Sequence, residues 1–414
     1  MILLLHSFIT IIFLCFLFFK KNLNFGFKES FLIGLFFYTY VPISINIYFE
    51  DFLIKSFIKF VGFNTEDIIK TQYLIIMLLA SFFAGYFSIN KKIKLTNIKK
   101  NFTLDEILIV MLLFSITTIF RVQHINSIVI LFVLSCLIIN KMETSNKKKI
   151  LYYIIFALLF QYISSIWSVS RRDIIKILFI LFFFISTLIN NKKIIYYLFT
   201  FFVFISIIFV FSNTYNRTDG AEFEFYIPLN QFIANYDFMP AFENLIYIIG
   251  NDNYLEDKTL FKVFYSFIPR DLWTQKPIDT NLLIVAAREN SFVGGTSAAV
   301  TFLGEVYWNY GKTGTVLVFF LFGVIAKNID LCVKDKLSDI QLILYPTLTY
   351  LGFLLWRGSI STTIIIYLIN IFSLIAVILI VESILRMISR YSPDNNNPKS
   401  VSYTHLTLPT NREV

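Results

Sequence analysis

Apolar residues fall along this chain in long blocks, not in strand-like alternation, and polar residues gather in the gaps between them. The blocks are residues 2–19, 30–49, 71–89, 104–120, 125–139, 150–167, 174–189, 194–211, 313–331, 340–356 and 362–385. An apolar run of about 18 residues or more is long enough to cross a bilayer as a helix, the form that satisfies every backbone N–H and C=O within one segment. The pattern predicts an all-α polytopic membrane protein with about eleven transmembrane helices. Runs 125–139 and 174–189 are short and read as tilted hairpin partners. The first run carries neither a charged leading segment nor a small-residue cleavage site, so it reads as a span and not as a removable signal.

One long polar stretch breaks the rhythm. Residues 212–312 hold Gly220, Gly250, Gly294, Gly295, four of the nine prolines and many Asp, Glu, Asn and Tyr residues. Loops of this length without a function are uncommon in compact proteins. The expected organisation is an N-terminal bundle of about eight spans over 1–211, a large loop with amphipathic helices over 212–312, C-terminal spans over 313–390 and a tail over 391–414. The last part of that tail, "VSYTHLTLPTNREV" (401–414), resembles the translation of a sequencing-library adapter and is set aside from the fold.

Composition agrees with a lipid solvent. Of 414 residues, 57% are hydrophobic, 18% aromatic and 15% charged, more apolar surface than a soluble domain can hide. Phe contributes 49 residues and suits long helices packed against acyl chains. The net charge of +9 is distributed by topology, and no basic stripe interleaved with aromatics points to nucleic acid. Cys15, Cys136 and Cys332 are scattered in apolar runs, and His6, His124 and His405 do not pair at ligand spacing, so no disulfide framework or metal site is indicated. No phosphate-binding glycine motif occurs, and no cofactor is expected.

Loop charge sets sidedness. Lysines crowd one alternating set of loops, as in Lys91, Lys92, Lys94, Lys99 and Lys100 or Lys141, Lys147, Lys148 and Lys149. That set is cytoplasmic, which puts the N-terminus and the 212–312 loop outside and the C-terminus inside. Arginine behaves differently: Arg121, Arg171, Arg172, Arg217, Arg270, Arg288 and Arg357 all fall on the outer side, against the usual bias. A guanidinium grips phosphate or carboxylate through two parallel hydrogen bonds, so these residues point to an anionic ligand at the outer boundary. Snorkelling to headgroups or pairing with acids such as Asp173 and Asp219 is the plainer alternative.

Three outer pieces concentrate chemistry. "SSIWSVSRRD" (Ser164–Asp173) ends in Arg171, Arg172 and Asp173 just before a span. "FIPRDLWTQKP" (Phe267–Pro277) presents Arg270, Asp271, Trp273 and Lys276 after an amphipathic stretch with Leu260, Phe261, Val263, Phe264 and Phe267 at helical spacing. "GGTSAAVTFLGEVYWNYGKTG" (Gly294–Gly314) runs into the 313–331 span. There Thr296 is expected to cap a helix beginning near Ser297, with Thr301, Glu305 and Asn309 on one polar stripe. Gly311 and Gly314 are expected to break that helix. A carboxylate in such a stripe suits a general base or a sugar-hydroxyl acceptor; pairing with Lys312 or an arginine is the plainer use.

"FIPRDLWTQKP" and "FLGEVYWNYGKTG", separated by "GGTSAA" and followed by a span, resemble the Wzy-type O-antigen and oligosaccharide repeat-unit polymerases. The likeness is strongest over residues 260–325. It implies a GT-C-like membrane glycosyltransferase of the bacterial cytoplasmic membrane, similar to O-antigen ligases. Such an enzyme moves a growing glycan from undecaprenyl pyrophosphate to an incoming lipid-linked unit, so the lipid-linked oligosaccharide and membrane lipid are its partners. A chain-length regulator and a flippase are further expected partners, and no metal or nucleotide sugar is needed. Glu305, Arg270 and Asp271 are the candidate catalytic residues. Arg171, Arg172, Arg217, Arg288, Arg357, Lys276, Trp273, Tyr307, Trp308 and Asn309 are the candidate substrate-binding residues. The arginines would hold pyrophosphate, and Glu305, or failing it Asp271, would take the acceptor proton. Trp273, Tyr307, Trp308 and Tyr310 would stack on sugar faces or form an interfacial belt. A ligase-like transferase, a flippase and a sensor with a folded outer cap remain alternatives.

Overall fold

The computed structural model describes residues 26–43, 65–89, 102–119, 127–167, 171–188, 238–251, 255, 259–265, 268, 271–289, 299–332 and 337–391. Among these every regular element is helical. In chain order they are α1 (Phe27–Leu35, continued by a π-helical turn, Phe36–Tyr40), α2 (Thr65–Ser88), α3 (Leu104–Ile119), α4 (Ser127–Lys141), α5 (Asn146–Trp167) and α6 (Arg171–Leu188). Then come α7 (Phe238–Asn251), α8 (Lys262–Tyr265, entered by a 3-10 turn, Thr259–Phe261), α9 (Thr280–Glu289), α10 (Phe302–Cys332), α11 (Asp339–Leu354) and α12 (Ile360–Tyr391). Among the described residues, three segments are long and apolar enough to cross a membrane: Glu66–Ser88, Phe302–Cys332 and Thr363–Met387. Ile128–Lys141 and Ile175–Leu188 are shorter apolar helices, matching the two runs that read as short. The expected spans 2–19 and 194–211 lie outside the described residues.

Local chemistry sets the helix starts. Thr103 and Glu106 cap α3 reciprocally, the Glu106 carboxylate accepting the Thr103 N–H at 2.7 Å and the Thr103 hydroxyl accepting the Glu106 N–H at 3.2 Å. Ser338 and Gln341 do the same for α11. Its first residue, Asp339, then ties three helices together: its carboxylate takes Lys141 of α4 at 2.7 Å and the Phe102 N–H ahead of α3 at 2.8 Å.

The tightest pair is α2 against α10. A Cβ placed on Gly85 would lie 2.0 Å from the Phe320 carbonyl oxygen, and one on Gly323 would lie 2.0 Å from that of Phe82. Only glycine permits this approach, the usual device where lipid supplies no hydrophobic force between helices. The Ser81 hydroxyl donates to the Val316 carbonyl at 2.6 Å, and Tyr86 reaches Asp330 further along. Both contacts advance in the same sense, so the two helices run parallel. The same holds for α1 and α11, where Gly352 meets Phe27 and Phe31 while Gly34 meets Phe353 and Trp356.

Among the described residues, many phenylalanines turn inward. Phe31 stacks on Phe82 at 4.8 Å and tilts against Trp356 at 5.1 Å, while Phe302 stacks on Phe319 at 4.9 Å. Buried rings gain edge and face contacts beyond their area, and such contacts hold helices together where water is absent. The outward side chains of α3 are instead Leu104, Leu108, Leu112 and Ile116.

Candidate functional site

Helix α10 begins at Phe302, not near Ser297. Residues 299–301 are non-helical, and the cap is Thr301, whose hydroxyl accepts the Gly304 N–H at 3.0 Å. Thr301 therefore carries the role expected of Thr296. Nor does Gly314 break the helix: the interruption falls at Gly311 alone, whose φ of 64° lies where a Cβ is disfavoured. Gly311 divides a buried N-terminal part from an apolar part that exposes Leu317, Leu321 and Ile325.

The expected stripe is present and acquires partners from far along the chain. Glu305 is 0% exposed. Its Oε1 accepts the Thr280 hydroxyl at 2.8 Å and the Thr259 hydroxyl at 3.1 Å, and its Oε2 accepts the N–H of Ile360, the first residue of α12. Asn309 closes the ring. Its Oδ1 accepts the Thr259 N–H at 2.7 Å, and its Nδ2 donates to the Thr259 hydroxyl at 2.9 Å and to the Glu305 carbonyl at 2.7 Å. A carboxylate taken out of water is costly unless its lone pairs are used, and here several are. Beside the ring, Lys262 and Asp279 form a 2.8 Å ion pair, and Asp279 also accepts the Asn281 N–H at 3.2 Å at the start of α9.

A second cluster surrounds Arg288, near the other end of α9. Its Nη1 donates to the Asn244 Oδ1 at 2.6 Å, and its Nη2 lies 3.6 Å from Glu243. Asn244 donates in turn to the Ala299 carbonyl at 2.8 Å. Burial pushes the Glu243 carboxyl above its ordinary value, and the Arg288 guanidinium partly opposes that rise. Arg288 is thus held by acids and amides of its own chain, the plainer of its two expected uses.

The other candidates divide. Asp271 and its neighbour Leu272 form an exposed turn. Lys276 donates to the Ile268 carbonyl at 2.8 Å, and Trp273 is half-buried, edge-on to Tyr265 at 5.2 Å. Tyr307 and Trp308 are core residues, 1% and 7% exposed, so their ring faces meet protein and are not open for sugar stacking. Arg357 lies half-buried in the turn after α11. Arg171 and Arg172 open α6. Arg270, Arg217, Arg121 and His124 lie outside the described residues. Among the described residues, no three histidine, cysteine or carboxylate side chains converge as metal ligands would.

A groove of about 660 Å3, its open mouth included, lies between α4, α6, α11 and α12. Val129, Val133, Ile180 and Leu374 help form its largely apolar wall, and Lys176, Thr347, Tyr350, Tyr367 and Asn370 supply polarity. The Lys176 ammonium sits 5.8 Å from the Tyr350 ring centroid, and the Thr347 and Tyr367 hydroxyls are 3.4 Å apart. No family model matches the chain, and no curated protein or solved structure matches it.

Sequence reading passed over Thr259, Lys262, Asp279 and Thr280. Thr259 and Thr280 meet Glu305 across separations of 46 and 25 residues, which no local pattern announces. The one available signal was "DTN" (Asp279–Asn281), a helix-capping tripeptide.

Proposed function

We propose that this chain polymerises lipid-linked oligosaccharide repeat units as a GT-C-like membrane glycosyltransferase, with about eleven spans. The observation that carries the reading is the groove between α4, α6, α11 and α12, with Lys176 in a largely apolar wall. A polyprenyl pyrophosphate needs both features, an apolar channel for the chain and a cation for the headgroup. Ionisable residues at membrane depth are costly and are kept where they serve a ligand or a pathway. The parallel courses of α2 with α10 and of α1 with α11 support the alternating topology, since each pair requires an odd number of crossings between its members. The run from Gly294 to Gly314 that resembles the Wzy family also contains Glu305 and Asn309, the α10 members of the cluster.

In this reading the glycosyl carbon of the donor loses its bond to the pyrophosphate oxygen and gains one to the acceptor hydroxyl oxygen. Undecaprenyl pyrophosphate leaves with the electron pair. Arg171, Arg172, Arg270 and Arg357, with Lys176, balance its charge, each such aimed cation supplying a few kcal/mol of barrier lowering. In this reading Asp271, exposed in its turn, takes the hydroxyl proton, while Glu305 holds the surrounding segments.

The test is polymer analysis in cells lacking the native gene and complemented with variants. Lys176→Met and Arg270→Ala are expected to cut long-chain product about tenfold or more while single lipid-linked repeats accumulate. Wild-type chain length in both variants would discard the assignment. A ligase would alter attachment of the glycan instead of its length. Loss of the gene that left single repeats absent would place the step in earlier synthesis or export.

A further inference from the structure

The chain leaves the Glu305 cluster at Thr259 and returns to it at Thr280. Both hydroxyls bond the same carboxylate oxygen, and the Lys262–Asp279 ion pair closes the neck just beyond them. Past the neck the two arms fold on each other. Tyr265 on one arm meets Trp273 on the other, and Lys276 reaches back to the Ile268 carbonyl. A loop tied this firmly and surrounded by water would turn its apolar side chains inward. This one does the reverse: Leu272 is 80% exposed, Phe264 78%, Phe261 53% and Ile268 40%. The Phe261 and Phe264 rings lie side by side, 6.5 Å between centroids.

The position of the loop says what covers that surface. The Thr259–Phe261 turn and α8 both pack on α12, whose segment Thr363–Met387 is long and apolar enough to cross a membrane. Glu305, at the neck, accepts the N–H of the first residue of α12. The exposed side chains therefore project from a platform at the end of a membrane-length helix. Lysines flanking aromatic and leucine residues are the composition of an element that lies in the headgroup–acyl boundary, and a Tyr–Trp pair is at home at that depth.

We propose that the Thr259–Thr280 loop is a membrane-docking element. Phe261, Phe264, Ile268 and Leu272 insert into the leaflet beside α12, and Glu305 is the positioning residue that fixes the insertion by holding both ends of the loop. The proposal is independent of the glycan reading and needs only a bilayer around α12.

Site-specific fluorescence tests it. Phe264→Cys, Leu272→Cys, Thr274→Cys and Leu379→Cys are made singly in full-length chain with Cys15, Cys136 and Cys332 replaced by alanine. Each is labelled with an environment-sensitive dye and reconstituted into phosphatidylcholine–phosphatidylglycerol vesicles. Thr274 is exposed on the same loop, and Leu379 is exposed on the apolar span. Labels at positions 264 and 272 are expected to be quenched by shallow lipid-borne nitroxide about twofold or more above position 274, and to resist aqueous iodide. Iodide access at 264 and 272 equal to that at 274, with position 379 still quenched from the lipid, would overturn the proposal. The neck is tested by Thr280→Val in the position-272 and position-379 proteins. Added iodide access at 272, with position 379 unchanged, is the expected result, and no change there would remove the positioning role.

Discussion

The two ends of α10 solve the same problem with different partners. At its N-terminal end, Glu305 is satisfied by two threonine hydroxyls and a backbone N–H, with Asn309 bracing Thr259. At its C-terminal end, Asp330 accepts the Phe27 N–H at 3.0 Å and the Tyr86 hydroxyl at 2.9 Å within a nest of charge. Lys28 pairs with Glu29 at 3.0 Å, and the Lys28 and Lys327 ammoniums lie 5.1 and 4.6 Å from the Tyr86 ring centroid. Lys28 and Lys327 supply the cations for ionic packing at this second end. The first end is built from uncharged donors drawn from four separated segments. A cluster of that kind is specific in geometry and intolerant of deletion, because each donor left behind is buried without its acceptor.

The sharpest way to break this contrast is Glu305→Ala. It strips the acceptor from two buried hydroxyls and from the Ile360 N–H, and is expected to cost about 3–5 kcal/mol in denaturant unfolding of the purified protein. Glu305→Gln keeps a carbonyl oxygen for the hydroxyls but turns an NH2 group on the Ile360 N–H or the reverse, and is expected to cost about 1–2 kcal/mol. An alanine variant within about 0.5 kcal/mol of wild type would mean that water or another side chain replaces the carboxylate.

Asp330→Ala is the matching change at the other end. It removes an acceptor at the start of α1 and one hydroxyl partner, with expected losses of about 1–2 kcal/mol in the same measurement. Asp330 is half-buried, so water can reach what the side chain leaves. A cost equal to that of Glu305→Ala would erase the distinction between the two ends.

Sequence reading reached the helical class, because blocks of apolar residues carry it without help from tertiary contacts. It also placed Glu305 and Asn309 on one face of a helix, since their spacing is local. It misplaced the start of that helix because Ser297 and Thr296 offer the same capping chemistry as Thr301. What decides between them is tertiary: the Phe302 N–H donates to the Leu355 carbonyl at 2.8 Å, and the Val300 N–H to Asn281 at 3.2 Å, which spends residues 299–301 on the chain next door. The aromatic stripe misled for a related reason. Tyr307 and Trp308 look amphipathic in sequence, yet the buried part of α10 is surrounded on every side, so polar and apolar faces alike are interior. The role of Arg288 was not legible, for it finds its acid on α7, which no spacing predicts.

Glu243 offers the mildest test, since it combines both designs: a half-buried carboxylate with a cation and an amide beside it. Burial raises its pKa in the folded protein above the unfolded value, and Arg288 limits the rise. The folded state therefore holds this proton more tightly than the unfolded state does. The stability linked to Glu243 is highest where the group is protonated in both states, and it falls as pH climbs from the ordinary carboxylate range through the raised folded value. Arg288→Met removes the opposing charge, so the folded value rises further and the fall becomes deeper and extends to higher pH. The gap in Tm between wild type and Arg288→Met is expected to widen by about 1–2 °C between pH 4.5 and pH 7.5. A gap that stays constant would show that Arg288 acts through its hydrogen bond to Asn244 alone, which would make this site another neutral cluster like that around Glu305 and leave the ionic design to the far end of α10.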